Sequence, residues 1–177
     1  MHLFTENMQQ RYALGEANRF YLQYFTEKLG YIPNLISSMM HSKNALKSYY
    51  SFHQRDSSLS KLETEVVTLA VSSHNLAAYC QYEHRIIVRL FGLSELAIQQ
   101  IESGKITFDN RLNIIVQLAI SIVDTTNNPA KELIQAFFEA GYSKGQLMDL
   151  LMVVGDTLIT NMTSKVFKIP RDQPLNF

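Results

Sequence analysis

Residues 60–91 read SKLETEVVTLAVSSHNLAAYCQYEHRIIVRLF. Ser60 followed by Glu63 has the spacing of a capping box and predicts a helix starting at about Lys61. Leu62, Val66, Leu69, Ala70 and Ser73 recur at helical intervals and give that helix a face that needs a partner. Asn75 is a cap or turn residue. A second helix is predicted from near Leu76 to Phe91, ended by Gly92. The same two helices concentrate the reactive groups of the chain. Cys80 is the only cysteine, His84 follows it by one helical turn, and Glu65 lies on the preceding helix. A thiol, an imidazole and a carboxylate are a nucleophile, a base and an orienting group. Glu65 can reach the other two only if the helices pack antiparallel, which the short connection at Ser73-His74-Asn75 allows.

Outward from this stretch, almost every segment reads as helix. Gly and Pro sit at boundaries, and no alternating strand pattern is present. Residues 6–29 place Tyr12, Phe20, Tyr21, Tyr24 and Phe25 at roughly helical spacing, with Gly30 as the stop. Pro33 suits the first turn of a helix running to about Met40, and Ser42 can cap another through Arg55. Ser94 opens a short helix to about Glu102. Residues 109–125 carry Leu112, Ile115, Val116, Ala119, Ile120 and Val123 as an amphipathic stripe. Asn128-Pro129 reads as a cap followed by a proline at the first helical position of a helix that Gly141 ends. Ser143 with Gln146 repeats the capping-box spacing. The last helix is predicted to turn Leu147, Leu150, Leu151, Val154, Leu158 and Met162 inward. Pro170 and Pro174 mark an irregular tail that in an oligomer would lie on a neighbour. The fold class is all-α, one domain over residues 1–177, with its motif core at about 60–91 and a helical extension at about 1–58.

Composition narrows the function. Lys plus Arg and Asp plus Glu are both 16, a net charge of zero, which leaves no electrostatic footprint for nucleic acid. One cysteine cannot make an internal disulfide. No apolar run approaches the ~20 residues of a membrane span, and the opening residues Met1 to Glu6 do not read as a signal peptide. The expectation is a cytoplasmic protein with no membrane and no nucleic-acid partner.

The run Glu65-Val66-Val67, Leu69-Ala70-Val71-Ser72, Asn75, Tyr79-Cys80 and His84 resembles the core of the AhpD-like superfamily, which contains alkylhydroperoxidase D and the carboxymuconolactone decarboxylases. Leu29-Gly30-Tyr31-Ile32-Pro33-Asn34-Leu35 is similar to a segment that precedes this core in peroxidase-related members. The resemblance implies an AhpD-like helical bundle that forms a homo-oligomer (dimer, trimer or hexamer). It also implies a proton relay from Cys80 through His84 to Glu65, with no metal and no organic cofactor. Redox-active members carry Cys-x-x-Cys, and this chain has Ala77 where the first cysteine falls.

Ala77 restricts the chemistry. A thiolate that attacks a peroxide becomes a sulfenic acid, and a second thiol resolves it to a disulfide. Ala77 cannot do this, so a thiol peroxidase built on Cys80 needs an external thiol reductant. Two other functions remain. The first is a cofactor-independent lyase acting on a small carboxylated compound, with His84 and Glu65 as acid and base. The second is a ligand-binding helical oligomer without catalysis. His74, Cys80, Glu83 and His84 are potential metal ligands, but their spacing matches no standard zinc site. The aromatic N-terminal third, including Tyr49, Tyr50 and Phe52, reads as core or subunit interface, or as the lining of an apolar pocket near Cys80.

Overall fold

A computed structural model describes residues 16–124 and 129–172. The predicted start of the first helix, with Tyr12, lies outside the described residues, as do Thr125, Asn128 and Pro174. Among the described residues the secondary structure is helical throughout, without a strand. Contacts divide the chain into a first unit, Met1–Arg55 with Val166–Phe177, and a second, Asp56–Lys165.

The first unit contains α1 (Glu16–Leu29), α2 (Asn34–Met39) and α3 (Ala45–His53). Gly30 ends α1 at φ +74, a left-handed conformation that glycine adopts without strain. Ser42 Oγ accepts from the Ala45 amide at 3.1 Å and so caps the approach to α3. Phe25, Ile36, Met39, Met40 and Leu46 are the buried core. Tyr21, Tyr24 and Phe25 meet Tyr50 edge-on, at 5.1, 5.9 and 5.3 Å between ring centres. The described part of the tail bonds to the start of α2. Asp172 Oδ1 accepts from the Asn34 amide at 2.8 Å, and the Pro170 carbonyl accepts from Asn34 Nδ2 at 3.2 Å.

The second unit contains α4 (Lys61–His74), α5 (Ala78–Leu90), α6 (Glu95–Glu102), α7 (Asn110–Val123), α8 (Lys131–Glu139) and α9 (Lys144–Val166). The capping box at Ser60 and Glu63 is formed in both directions. Ser94 and Asp109 cap α6 and α7 through their side chains. Ser143 and Gln146 exchange the same pair of bonds at the start of α9. α4 is buried on two faces. Val67 and Val71 join one core with Ile115, Leu118, Phe137, Leu150 and Val154. Val66, Leu69 and Ala70 join another with Val88, Ile98, Ile101, Leu112 and Val116. At roughly 1.5–3 kcal/mol for each large side chain buried, these two cores dominate the stability of the unit.

Two boundaries and one facing are corrected. α5 starts at Ala78, because Leu76 takes a left-handed φ of 54 and interrupts the helical path. α8 starts at Lys131 with Ala130 as its cap, so Pro129 precedes the helix instead of opening it. Leu151 and Met162 face outward, at 40% and 58% exposure. The C-terminal half of α9 buries Thr157, Thr160, Asn161 and Ser164 in their place.

Candidate functional site

α4 and α5 fold back on each other across the short turn at residues 75–77, and this brings Glu65 to His84. His84 Nδ1 and Glu65 Oε2 are 2.7 Å apart, and both side chains are 23% exposed. With Nδ1–H donating to the carboxylate, Nε2 is the ring nitrogen left for other work. The two residues that the sequence reading paired are thus in contact across the hairpin.

Cys80 is the third residue of α5, in the first turn as expected, and its side chain is buried. Its thiol is engaged with α9, donating to Ser164 Oγ at 3.6 Å. The helix terminus and a neighbouring base would both lower a thiol pKa. Burial instead pushes the Cys80 thiol up, and the Glu83 charge adds to that shift. The hydroxyls of Ser164 and Thr160 and the Cys80 backbone N–H act the other way without overcoming it. The resting thiol is therefore protonated and covered. Ala77, the cap residue of α5, is fully buried, and its amide donates to the Ser72 carbonyl at 2.9 Å.

Around Cys80 runs a polar seam that the sequence reading missed. Thr68 and Ser72 of α4 face Thr157, Thr160, Asn161 and Ser164 of α9, and all six are buried. Ser72 Oγ donates to Asn161 Oδ1 at 3.0 Å, and Thr157 Oγ1 donates to Thr68 Oγ1 at 3.4 Å. The available signal was the i, i+3, i+4, i+7 recurrence of Thr, Thr, Asn and Ser, which continues the buried face of Leu150, Val153 and Val154.

Glu63 anchors a second polar group. Tyr142 Oη donates to Glu63 Oε1 at 2.7 Å, and Arg111 Nε lies 3.3 Å from the same oxygen. Burial opposes the Glu63 charge, but the Ser60 amide, the Tyr142 hydroxyl and Arg111 together hold its carboxyl below the usual range. Among the described residues no group of three or more His, Cys, Asp or Glu is arranged to hold a metal ion. His74 is exposed and lines an open groove of about 510 Å³ with Lys105, Gln117, Ser121 and Asp124. Glu65, Cys80 and His84 do not line it.

The all-helical unit built on the α4–α5 hairpin has the AhpD-like fold. The comparisons with solved structures agree. An uncharacterized peroxidase-related protein from Ralstonia eutropha JMP134, described as an alkylhydroperoxidase AhpD core, superposes with a TM-score of 0.80 at 19% identity, over 91% of this chain and 88% of that one. An uncharacterized peroxidase-related protein from Silicibacter sp. TM1040 superposes with a TM-score of 0.77 at 20% identity, over 90% and 87%. No protein-family model and no curated protein matches the chain. Among the described residues no helix is long and apolar enough to cross a membrane.

Proposed function

We propose that this protein is a single-cysteine, thiol-dependent hydroperoxidase. The observation that carries the reading is the Glu65–His84 pair, held at 2.7 Å, with His84 four residues after the only cysteine on α5, in a fold whose solved neighbours are named peroxidase-related. Cys80 is the nucleophile. His84, oriented by Glu65, takes the thiol proton through Nε2 when the peroxide arrives and returns it to the leaving oxygen. Burial keeps the thiol protonated until then, which protects it from adventitious oxidation. With one cysteine in the chain, the oxidised sulfur is returned to the thiol by an external thiol reductant. The protein acts on a small hydroperoxide, in the cytoplasm, as a homo-oligomer.

Hydroperoxide consumption supported by a small dithiol donor tests this. Turnover by wild type, abolished in Cys80→Ser and strongly reduced in His84→Ala, supports the reading. A wild type that is inactive with several thiol donors overturns it.

The covered, protonated state of Cys80 favours one second reading, a cofactor-independent lyase in which His84 and Glu65 are base and orienting group and Cys80 is packing. Cys80→Ala separates the two. It leaves a lyase intact and eliminates a peroxidase.

A further inference from the structure

α9 reverses the usual order of a surface helix, which keeps its apolar stripe inward and its polar residues out. In its C-terminal half the buried face is Thr157, Thr160, Asn161 and Ser164. Met148, Leu151, Met152, Ile159 and Met162 point outward around Gly155, at 38–59% exposure. No Lys or Arg lies between Lys144 and Lys165 to break this stripe. The two carboxylates of the stretch sit beside it. Asp149 accepts from the Ser58 amide at 2.7 Å, and Asp156 is half-buried. A contiguous exposed apolar face marks an interaction surface.

The spacing indicates what fits it. Met148, Met152, Gly155, Ile159 and Met162 are separated by four, three, four and three residues, the heptad interval at which one helix packs along another. The stripe runs about 21 Å along the axis, with Gly155 at its centre. Among the described residues, a Cβ added at Gly155 would meet no neighbouring atom within 4 Å. Glycine is also the poorest helix former after proline, so neither space nor propensity within the chain calls for it. On an open face it lets a second backbone come close. The face is also symmetric about Gly155. A two-fold axis there sets Met148 against Met162 of the partner subunit and Leu151 against Ile159 of the partner subunit, with the glycines at the crossing. A second copy of this chain carries the matching pattern by construction. The five outward side chains present about 450 Å². A stable interface buries about 800 Å² on each partner, a little over half of it apolar, so the area is what a dimer needs.

We propose that the outer face of α9 is the contact between two copies of this chain, packed antiparallel about a two-fold axis at Gly155. This rests on the homo-oligomer in the function proposed above, whose surface it names, and is independent of the chemistry assigned to Cys80. The inner face of the same helix carries Ser164, which receives the Cys80 thiol. Pairing therefore braces from outside the helix that covers that thiol. An assembly of more than two copies built on this contact holds an even number of them.

The experiment is the mass of the full chain in solution, by analytical ultracentrifugation at micromolar concentration. Circular dichroism checks that each variant is folded. Gly155→Leu sends a side chain into space that is open in the single chain, and so blocks the crossing without disturbing the packing of the protomer. Met148→Glu with Met162→Glu sets like charges opposite each other across the axis. Met148→Lys with Met162→Glu sets opposite charges there, twice in each pair. Wild type is expected to hold an even number of copies, the first two variants half that number, and the third the wild-type number. A monomeric wild type overturns the contact and the homo-oligomer together. An odd number of copies, or an even number unchanged in both disrupting variants, overturns the contact and leaves the homo-oligomer standing. A third variant that dissociates like the second overturns the antiparallel alignment.

Discussion

Tyr142→Phe removes one hydroxyl and little else. The ring of Tyr142 is stacked on Phe137 at 4.3 Å and covered by the Arg111 guanidinium at 4.0 Å, and phenylalanine keeps both contacts. What is lost is the 2.7 Å bond to Glu63, a carboxylate with a side-chain exposure of 11%. A hydrogen bond to a charged group contributes about 1.5–3 kcal/mol. At roughly 2–4 °C per kcal/mol for a chain of this size, Tm should fall by about 3–12 °C near neutral pH. The pH dependence separates this cause from a general packing defect. Glu63 has a folded-state pKa below its unfolded value, so its contribution is present above the unfolded carboxylate value of about 4.3. That contribution is lost as pH falls through the depressed folded value. The gap between wild type and Tyr142→Phe should therefore be full near neutrality and shrink in strong acid, when the bond becomes a neutral one. Thermal unfolding followed by circular dichroism across this range is the assay. A gap under about 1 °C at neutral pH, or one that does not change with acid, refutes the ionic role given to Glu63.

Three further outcomes follow from particular residues. Leu76 holds a left-handed φ of 54 while 81% exposed, so Leu76→Asn should stabilise the protein by about 0.5–1 kcal/mol in denaturant unfolding, since asparagine tolerates that conformation and no packing is lost. Gly104 has φ +71, and a Cβ there would lie 2.7 Å from Ile120 Cδ1, so Gly104→Ala should cost about 1–2 kcal/mol, read the same way. Alkylation of Cys80 should be slow near neutrality and accelerate only above the ordinary thiol value of about 8.5. Ser164→Ala should move that acceleration to still higher pH, because the Ser164 hydroxyl turns to donate to the sulfur once the thiol proton has left. A midpoint that falls in the variant would show that Ser164 acts only as acceptor for the thiol and contradict its favouring of the thiolate.

The helix boundaries were legible where capping chemistry is local. Ser60 with Glu63, Ser94, Ser143 with Gln146, and the glycines at 30, 92 and 141 each act within a few residues of their own position. The Glu65–His84 pair was legible because a short turn leaves two helices few ways to pack. The partner of Cys80 was not, since Ser164 lies 84 residues away and hydrogen bonds of that range leave no periodic trace. The outward turn of Leu151 and Met162 was missed because apolarity stood in for burial. On α9 the hydroxyl face is buried: Thr157, Thr160 and Ser164 donate to carbonyls of their own helix, and Ser72 of α4 bonds Asn161.

Exposing the full chain to one equivalent of a hydroperoxide, without reductant, and reading the mass of the Cys80 peptide is the most direct test of the function assigned to Cys80. Addition of a single oxygen atom on Cys80, far slower in His84→Ala and Glu65→Gln, is the expected result. A peptide that stays unmodified while the peroxide persists would contradict it and turn attention to the Glu65–His84 pair as acid–base machinery acting without the thiol.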